Sequence, residues 1–101
     1  MRGKLSTSRN KETISLKKKA GFWLKEQRLR AGLSQIDLAG RLGLKYYTFI
    51  SQIENGYGRV PYQSMADWAR ALGIEPAQFA RTLLGYYEPA LYRLLFEEAL
   101  Q

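Results

Sequence analysis

The sequence predicts an all-α protein, with five short helices packed round one core and an extra helix at the C-terminus. Three observations predict it. Apolar residues recur at three- and four-residue intervals, the spacing of one helix face. Each such run is closed by a glycine, at Gly32, Gly43, Gly56, Gly73 and Gly85, the residue that most readily leaves a helix. Finally, helices this short are marginal alone, so they must bury their apolar faces against one another. A chain of 101 residues with 46% apolar content suits a single domain with a modest core.

Residues 1–15 are expected to form a disordered basic arm. They are polar, basic and rich in Ser, Thr and Asn, and bury too little apolar surface to offset the entropy of ordering. The net charge of +7 is concentrated at this end. Residues 1–19 hold seven basic residues against Glu12, which is +6, whereas residues 20–101 hold nine basic and eight acidic residues, which is +1. Such an arm either follows phosphates and enters a minor groove or serves only to solubilise the chain.

The helical body spans residues 16–85. Helix 1 runs from about Leu16 to Ala31, with an apolar stripe of Leu16, Ala20, Trp23 or Leu24, and Leu29. Helix 2 runs from Gln35 to Leu42. Ser34 is its N-cap and Asp37 completes capping-box spacing at an end that favours negative charge. Helix 3 runs from Tyr46 or Tyr47 to Asn55, with Ile50 and Ile53 inward. Helix 4 begins at Pro61 or Tyr62 and ends at Leu72, facing the core with Met65, Trp68, Ala69 and Leu72. Helix 5 spans Glu75 or Pro76 to Leu84, with Phe79 and Leu83 inward and Gly85 ending it. Residues 86–101 then form a last helix, from Ala90 to about Leu100. Its apolar face of Leu91, Leu94, Leu95 and Phe96 either folds back on helices 1 and 5 or pairs with another subunit.

The stretch from Gly32 to Gly56 carries a resemblance. Gly32-Leu33-Ser34-Gln35, Leu38-Ala39, Leu42-Gly43-Leu44, the run Ile50 to Gly56 and Ala71-Leu72-Gly73-Ile74 together resemble the helix-turn-helix of phage repressor and Cro-like (XRE-type) regulators, over roughly residues 20–84. The resemblance implies a five-helix lambda-repressor-like domain. In one respect the chain departs from that pattern. The seven steps from Gly43 to Ile50 are one more than is usual, so an extra residue lies within Lys45-Tyr46-Tyr47-Thr48, where the recognition helix begins.

Site residues follow from the resemblance. An arginine at position 28 is expected to pair with Glu54, a structural tie between helices 1 and 3. Gln35 is placed to meet the DNA backbone or a base edge, or else to bond Gln52. Helix 3 then presents Tyr46, Tyr47, Thr48, Ser51 and Gln52 outward. Gln can bond adenine through two hydrogen bonds, and Thr can meet a thymine methyl. One of the two tyrosines is expected to pack into the core across the lengthened turn, with Phe49 core as well. The loop Tyr57 to Pro61 after helix 3 lies along the phosphate backbone in such proteins; Arg59 in it and Lys45 ahead of helix 3 are the leading phosphate contacts, Arg59 otherwise being an ordinary loop residue.

The expected function is sequence-specific binding of double-stranded DNA by a transcriptional regulator, a repressor, reading the major groove with helix 3. Such regulators bind two-fold sites as dimers, so a homodimer through Leu91, Leu94, Leu95 and Phe96 is expected. The alternative is a protein-binding module, an antiactivator or antitoxin that grips an activator or toxin with the same fold. The near-neutral body and Tyr46-Tyr47 favour it. No enzyme is expected, since no nucleophile stands with a base and no carboxylates pair on one face. No cofactor and no metal is expected either: the chain has no Cys and no His, which excludes disulfides, Cys/His zinc sites and histidine catalysis. No apolar run reaches membrane-spanning length, and a cytoplasmic location is compatible with the lack of Cys.

Overall fold

The computed structural model describes residues 2–98, with side chains described from Lys11 onward. Six α-helices follow in order: α1 Arg2–Arg30, α2 Gln35–Arg41, α3 Thr48–Glu54, α4 Met65–Leu72, α5 Pro76–Tyr87 and α6 Pro89–Tyr92. A 3-10 turn, Tyr62–Ser64, leads into α4, and a π-helical turn, Arg93–Glu97, continues α6.

The first difference from the sequence reading is at the N-terminus, where residues 2–15 are helical rather than a disordered arm. No proline interrupts residues 2–30, so once α1 is anchored at its C-terminal half nothing in the sequence stops its backward propagation. Twenty-nine residues make a helix about 43 Å long, close to the 45 Å long axis of the molecule. Residues 11–15 of α1 are exposed, and burial begins only further along, at Ala20, Leu24 and Arg28. Leu29, expected in that stripe, is exposed, because the packed face runs through every fourth residue from Ala20 to Arg28.

The core is built from Leu24, Leu38, Ile50, Ile53, Val60, Trp68, Phe79 and Leu83, all essentially inaccessible to solvent. Trp23 adds a tilted aromatic contact to Phe79, with centroids 5.7 Å apart, joining α1 to α5. Gly21 lets α1 cross closely over the end of α3, and Gly56 (φ +83°) lies under the Lys18 backbone. Arg41 ties α2 to the C-terminal end of α4 by donating to the Ala71 carbonyl at 3.1 Å, where the helix dipole favours a cation.

Two further boundaries differ. Gly85 does not end helix 5; α5 continues to Tyr87 and stops only before Pro89, since the residue before a proline avoids helical geometry. The Tyr92 ring packs over Gly85, where a Cβ would meet it at 3.5 Å. The last helix is short and changes to a π-helical turn ending at Glu97, and its expected end at Leu100 lies outside the described residues. Tyr92 and Phe96 make a tilted aromatic contact with centroids 5.0 Å apart, and the Arg81 guanidinium lies 4.3 Å from the Phe96 centroid. Phe96 is thereby folded back on α5. Leu91, Leu94 and Leu95 remain exposed.

Candidate nucleic-acid interface

The helix pair α2–α3 is fixed from beneath by a buried polar cluster. Arg28 Nε and Nη2 donate to the two Glu54 carboxylate oxygens at 2.6 and 2.9 Å. A third donor, Nη1, reaches the Leu33 carbonyl at 2.9 Å. Gln35 Nε2 completes the cluster, donating to Glu54 Oε1 at 3.0 Å. The hydrogen bond to Glu54 raises the Arg28 pKa above its ordinary value against the opposing effect of burial, so the guanidinium is charged at every accessible pH. The cluster joins the end of α1, the start of α2 and the end of α3. The partner of Gln35 is thus Glu54 and not Gln52, because Gln35 at the first position of α2 faces the end of α3.

The start of α2 is closed by a capping box. Ser34 Oγ accepts from the Asp37 N–H at 2.9 Å, and Asp37 Oδ2 accepts from the Ser34 N–H at 2.9 Å. These bonds hold the Asp37 carboxyl below the usual aspartate range, the backbone donor contributing most.

The lengthened turn is absorbed ahead of α3. Gly43 (φ +69°) closes α2, Leu44 is half-buried and α3 begins only at Thr48. Tyr46 and Tyr47 therefore stand before the helix, and both are exposed; neither packs into the core. Phe49 is exposed as well, at 38%, because with Ile50 and Ile53 inward its neighbour must turn away. Thr48 and Gln52 are exposed on the same helix, and Ser51 is half-buried with its hydroxyl accepting from Asn55 Nδ2 at 3.4 Å. Lys45 is exposed, with its ammonium 5.5 Å from the Tyr46 ring centroid, and has no carboxylate partner among the described residues.

Arg59 behaves differently from a free phosphate contact. Its Nη1 pairs with Glu88 Oε2 at 3.0 Å, and its Nη2 donates to the Tyr62 hydroxyl. The guanidinium carbon also lies 5.1 Å from the Tyr62 centroid and 4.6 Å from that of Tyr87. The side chain is turned towards the C-terminal segment, its charge already matched, and it locks the loop after α3 to the end of α5. The Tyr87 hydroxyl accepts from the Val60 N–H at 3.2 Å in the same corner, and burial pushes the Tyr87 pKa up.

Residues 24–79 match the family model described as helix-turn-helix, more than half of the chain. The chain belongs to the Cro/C1-type helix-turn-helix family. A search of curated proteins found no match. Family membership supports a DNA-binding helix-turn-helix regulator, and the matched family is a regulatory one and not a family of enzymes. All of the outward residues round α3 fall inside the matched segment. The N-terminal half of α1 and the segment from Ala80 to Glu98 fall outside it. None of the described helices is long and apolar enough to cross a membrane. Sequence reasoning missed Tyr57, which is 80% exposed beside the end of α3; its place after Asn55-Gly56, which swings the chain outward, was the available signal.

Proposed function

We propose that this protein is a sequence-specific regulator, a repressor, that docks on double-stranded DNA as a homodimer and reads the major groove with α3. The observation that carries this reading is the division of α3: Ile50 and Ile53 are buried, while Thr48 and Gln52 are exposed on a helix whose far end is held by the Arg28–Glu54 pair. Gln52 would bond a base edge and the Thr48 methyl would meet a thymine. Lys45 and the Tyr46 and Tyr47 hydroxyls would anchor phosphates, and Ser51 would assist where its hydroxyl is not engaged. Gln35 acts through Glu54, holding α2 to α3. The dimer would form through Leu91, Leu94 and Leu95, three exposed leucines outside the matched segment. Bound over a promoter, such a dimer would occlude polymerase.

Selection from a random duplex pool tests the reading. Enrichment of a two-fold motif with half-sites about ten base pairs apart is expected. Enrichment of no motif would overturn it.

One observation favours a second reading, a module that grips another protein. Tyr46, Tyr47, Phe49 and Tyr57 are all exposed round α3, and aromatic side chains anchor protein interfaces. Under that reading Gln52→Ala leaves partner affinity unchanged while Phe49→Ala lowers it.

A further inference from the structure

One face of α1 carries a groove of about 620 Å³. Lys11, Ile14, Lys18, Lys19, Phe22 and Trp23 line it, recurring at the three- and four-residue spacing of a single helix face. Tyr86 of α5 forms part of its wall, and Glu26 lies among the lining residues too. Its apolar residues are open to solvent: Ile14 is 51% and Phe22 63% exposed. The groove therefore interleaves apolar residues, Ile14, Phe22 and Trp23, with Lys11, Lys18 and Lys19.

The C-terminal segment has the opposite character. Leu91, Leu94 and Leu95 are exposed, and Glu97 and Glu98 follow them, also exposed. Leu91, Leu94, Leu95 and Glu98 lie close to the spacing of one helix face. Within one chain these leucines do not reach the groove. Tyr92 is packed over Gly85 and Phe96 under Arg81, which turns the leucines outward. The segment is nevertheless near the groove, because Lys19 and Tyr86 also line the neighbouring cleft that ends at Gly85 and Tyr92.

We propose that the groove on α1 receives the C-terminal segment of a second copy of this chain, leucines against Ile14 and Phe22, and Glu97 and Glu98 against Lys11 and Lys19. Groove and segment adjoin through the cleft that Lys19, Tyr86 and Tyr92 line, and two copies related by a two-fold axis would form the contact twice. Charge selects the occupant: three lysines against one glutamate meet two glutamates that end an apolar stripe. The inference rests on the dimer reading above and adds which surface meets which. It also places the dimer contact on the half of α1 that lies outside the matched segment.

Sedimentation equilibrium of the full chain and of surface variants tests the proposal, with circular dichroism confirming unchanged helicity. The wild-type chain is expected to dimerise. Phe22→Lys and Leu95→Lys should each weaken the dimer by at least about tenfold, since each buries a charge at the contact. The double reversal Lys11→Glu with Lys19→Glu should weaken it about tenfold, as should Glu97→Lys with Glu98→Lys. Mixing the two reversed chains should yield a heterodimer in which both contacts regain matched charges, tighter than either reversed homodimer. A dimer that survives Phe22→Lys but dissociates with Leu95→Lys would mean that the leucine faces pair with each other; it would overturn this proposal and leave the dimer reading standing. A wild-type chain that remains monomeric at about 100 micromolar would overturn both.

Discussion

Gly21 of α1 lies against the backbone of Glu54 at the end of α3: a Cβ at residue 21 would fall 2.3 Å from the Glu54 carbonyl oxygen and 2.6 Å from that of Ile53. Both obstacles are backbone atoms, so relief requires the helices to separate. Alanine normally stabilises a helix interior relative to glycine. Here the clash reverses the sign. Gly21→Ala should lower stability by about 1–3 kcal/mol, read as a shift in urea midpoint at unchanged slope. Gly40 of α2 meets nothing within 4 Å at the same test, so Gly40→Ala should raise stability by about 0.5–1 kcal/mol. Equal effects from the two substitutions would disprove the close crossing.

Arg28 and Glu54 are both nearly inaccessible, with side-chain exposures of 7% and 3%, and they are mutually satisfied. Removing one partner strands the other as a buried charge. Arg28→Met alone and Glu54→Leu alone should each cost about 3–5 kcal/mol. The double variant should recover most of that loss, because no uncompensated charge remains. Thermal unfolding of the four chains reads the coupling. Additive losses would show that the pair contributes only through packing.

Much of this arrangement was legible in the sequence. Ser34 with Asp37, Gly43, and Asn55-Gly56 are local signals that fix helix ends without long-range information, and Ile50, Ile53, Trp68 and Phe79 sit at helical spacing and are buried. What was not legible depended on contacts between distant residues. Nothing local says that Arg59 meets Glu88 or that Tyr87 accepts from Val60. Gly85 looked like a stop, yet a glycine ends a helix only where the chain turns, and here α5 runs on to Tyr87. For the N-terminal segment, polar composition argues for disorder, while the absence of proline and the anchored helix behind it allow the continuation of α1 seen in the structure. At the interface, one of Tyr46 and Tyr47, with Phe49, was expected inward on the general cost of exposed aromatics; the inserted residue instead leaves both tyrosines ahead of α3 and exposed.

Base reading and phosphate anchoring separate in their salt dependence. Gln52→Ala and Thr48→Ala should reduce affinity for the selected site by about 1–3 kcal/mol, relaxing preference at one base pair and leaving the salt slope unchanged. Lys45→Ala should weaken all sequences alike and reduce the slope by about 1. Glu88→Gln should act in the opposite direction. It releases the Arg59 charge from its partner, so non-specific affinity and salt slope should rise. Fluorescence anisotropy titrations at several salt concentrations distinguish these outcomes, and an unchanged slope for Glu88→Gln would show that Arg59 lies away from the backbone path.

Asp37 gives the fold an acid-sensitive cap. Its carboxylate accepts the Ser34 N–H, and its pKa is depressed in the folded protein. A depressed carboxylate stabilises the folded state above the ordinary aspartate value, near pH 4, and that contribution is lost as pH falls through the folded-state value. Asparagine at this position keeps an acceptor for the Ser34 N–H but no charge for the N-terminus of α2. Asp37→Asn should therefore melt below the wild type at pH 6, and the gap should close as pH falls below about 4. Melting temperatures of both chains between pH 6 and pH 2 test this. A gap that persists at the acid end would mean that the loss lies in hydrogen-bond geometry and not in the charge.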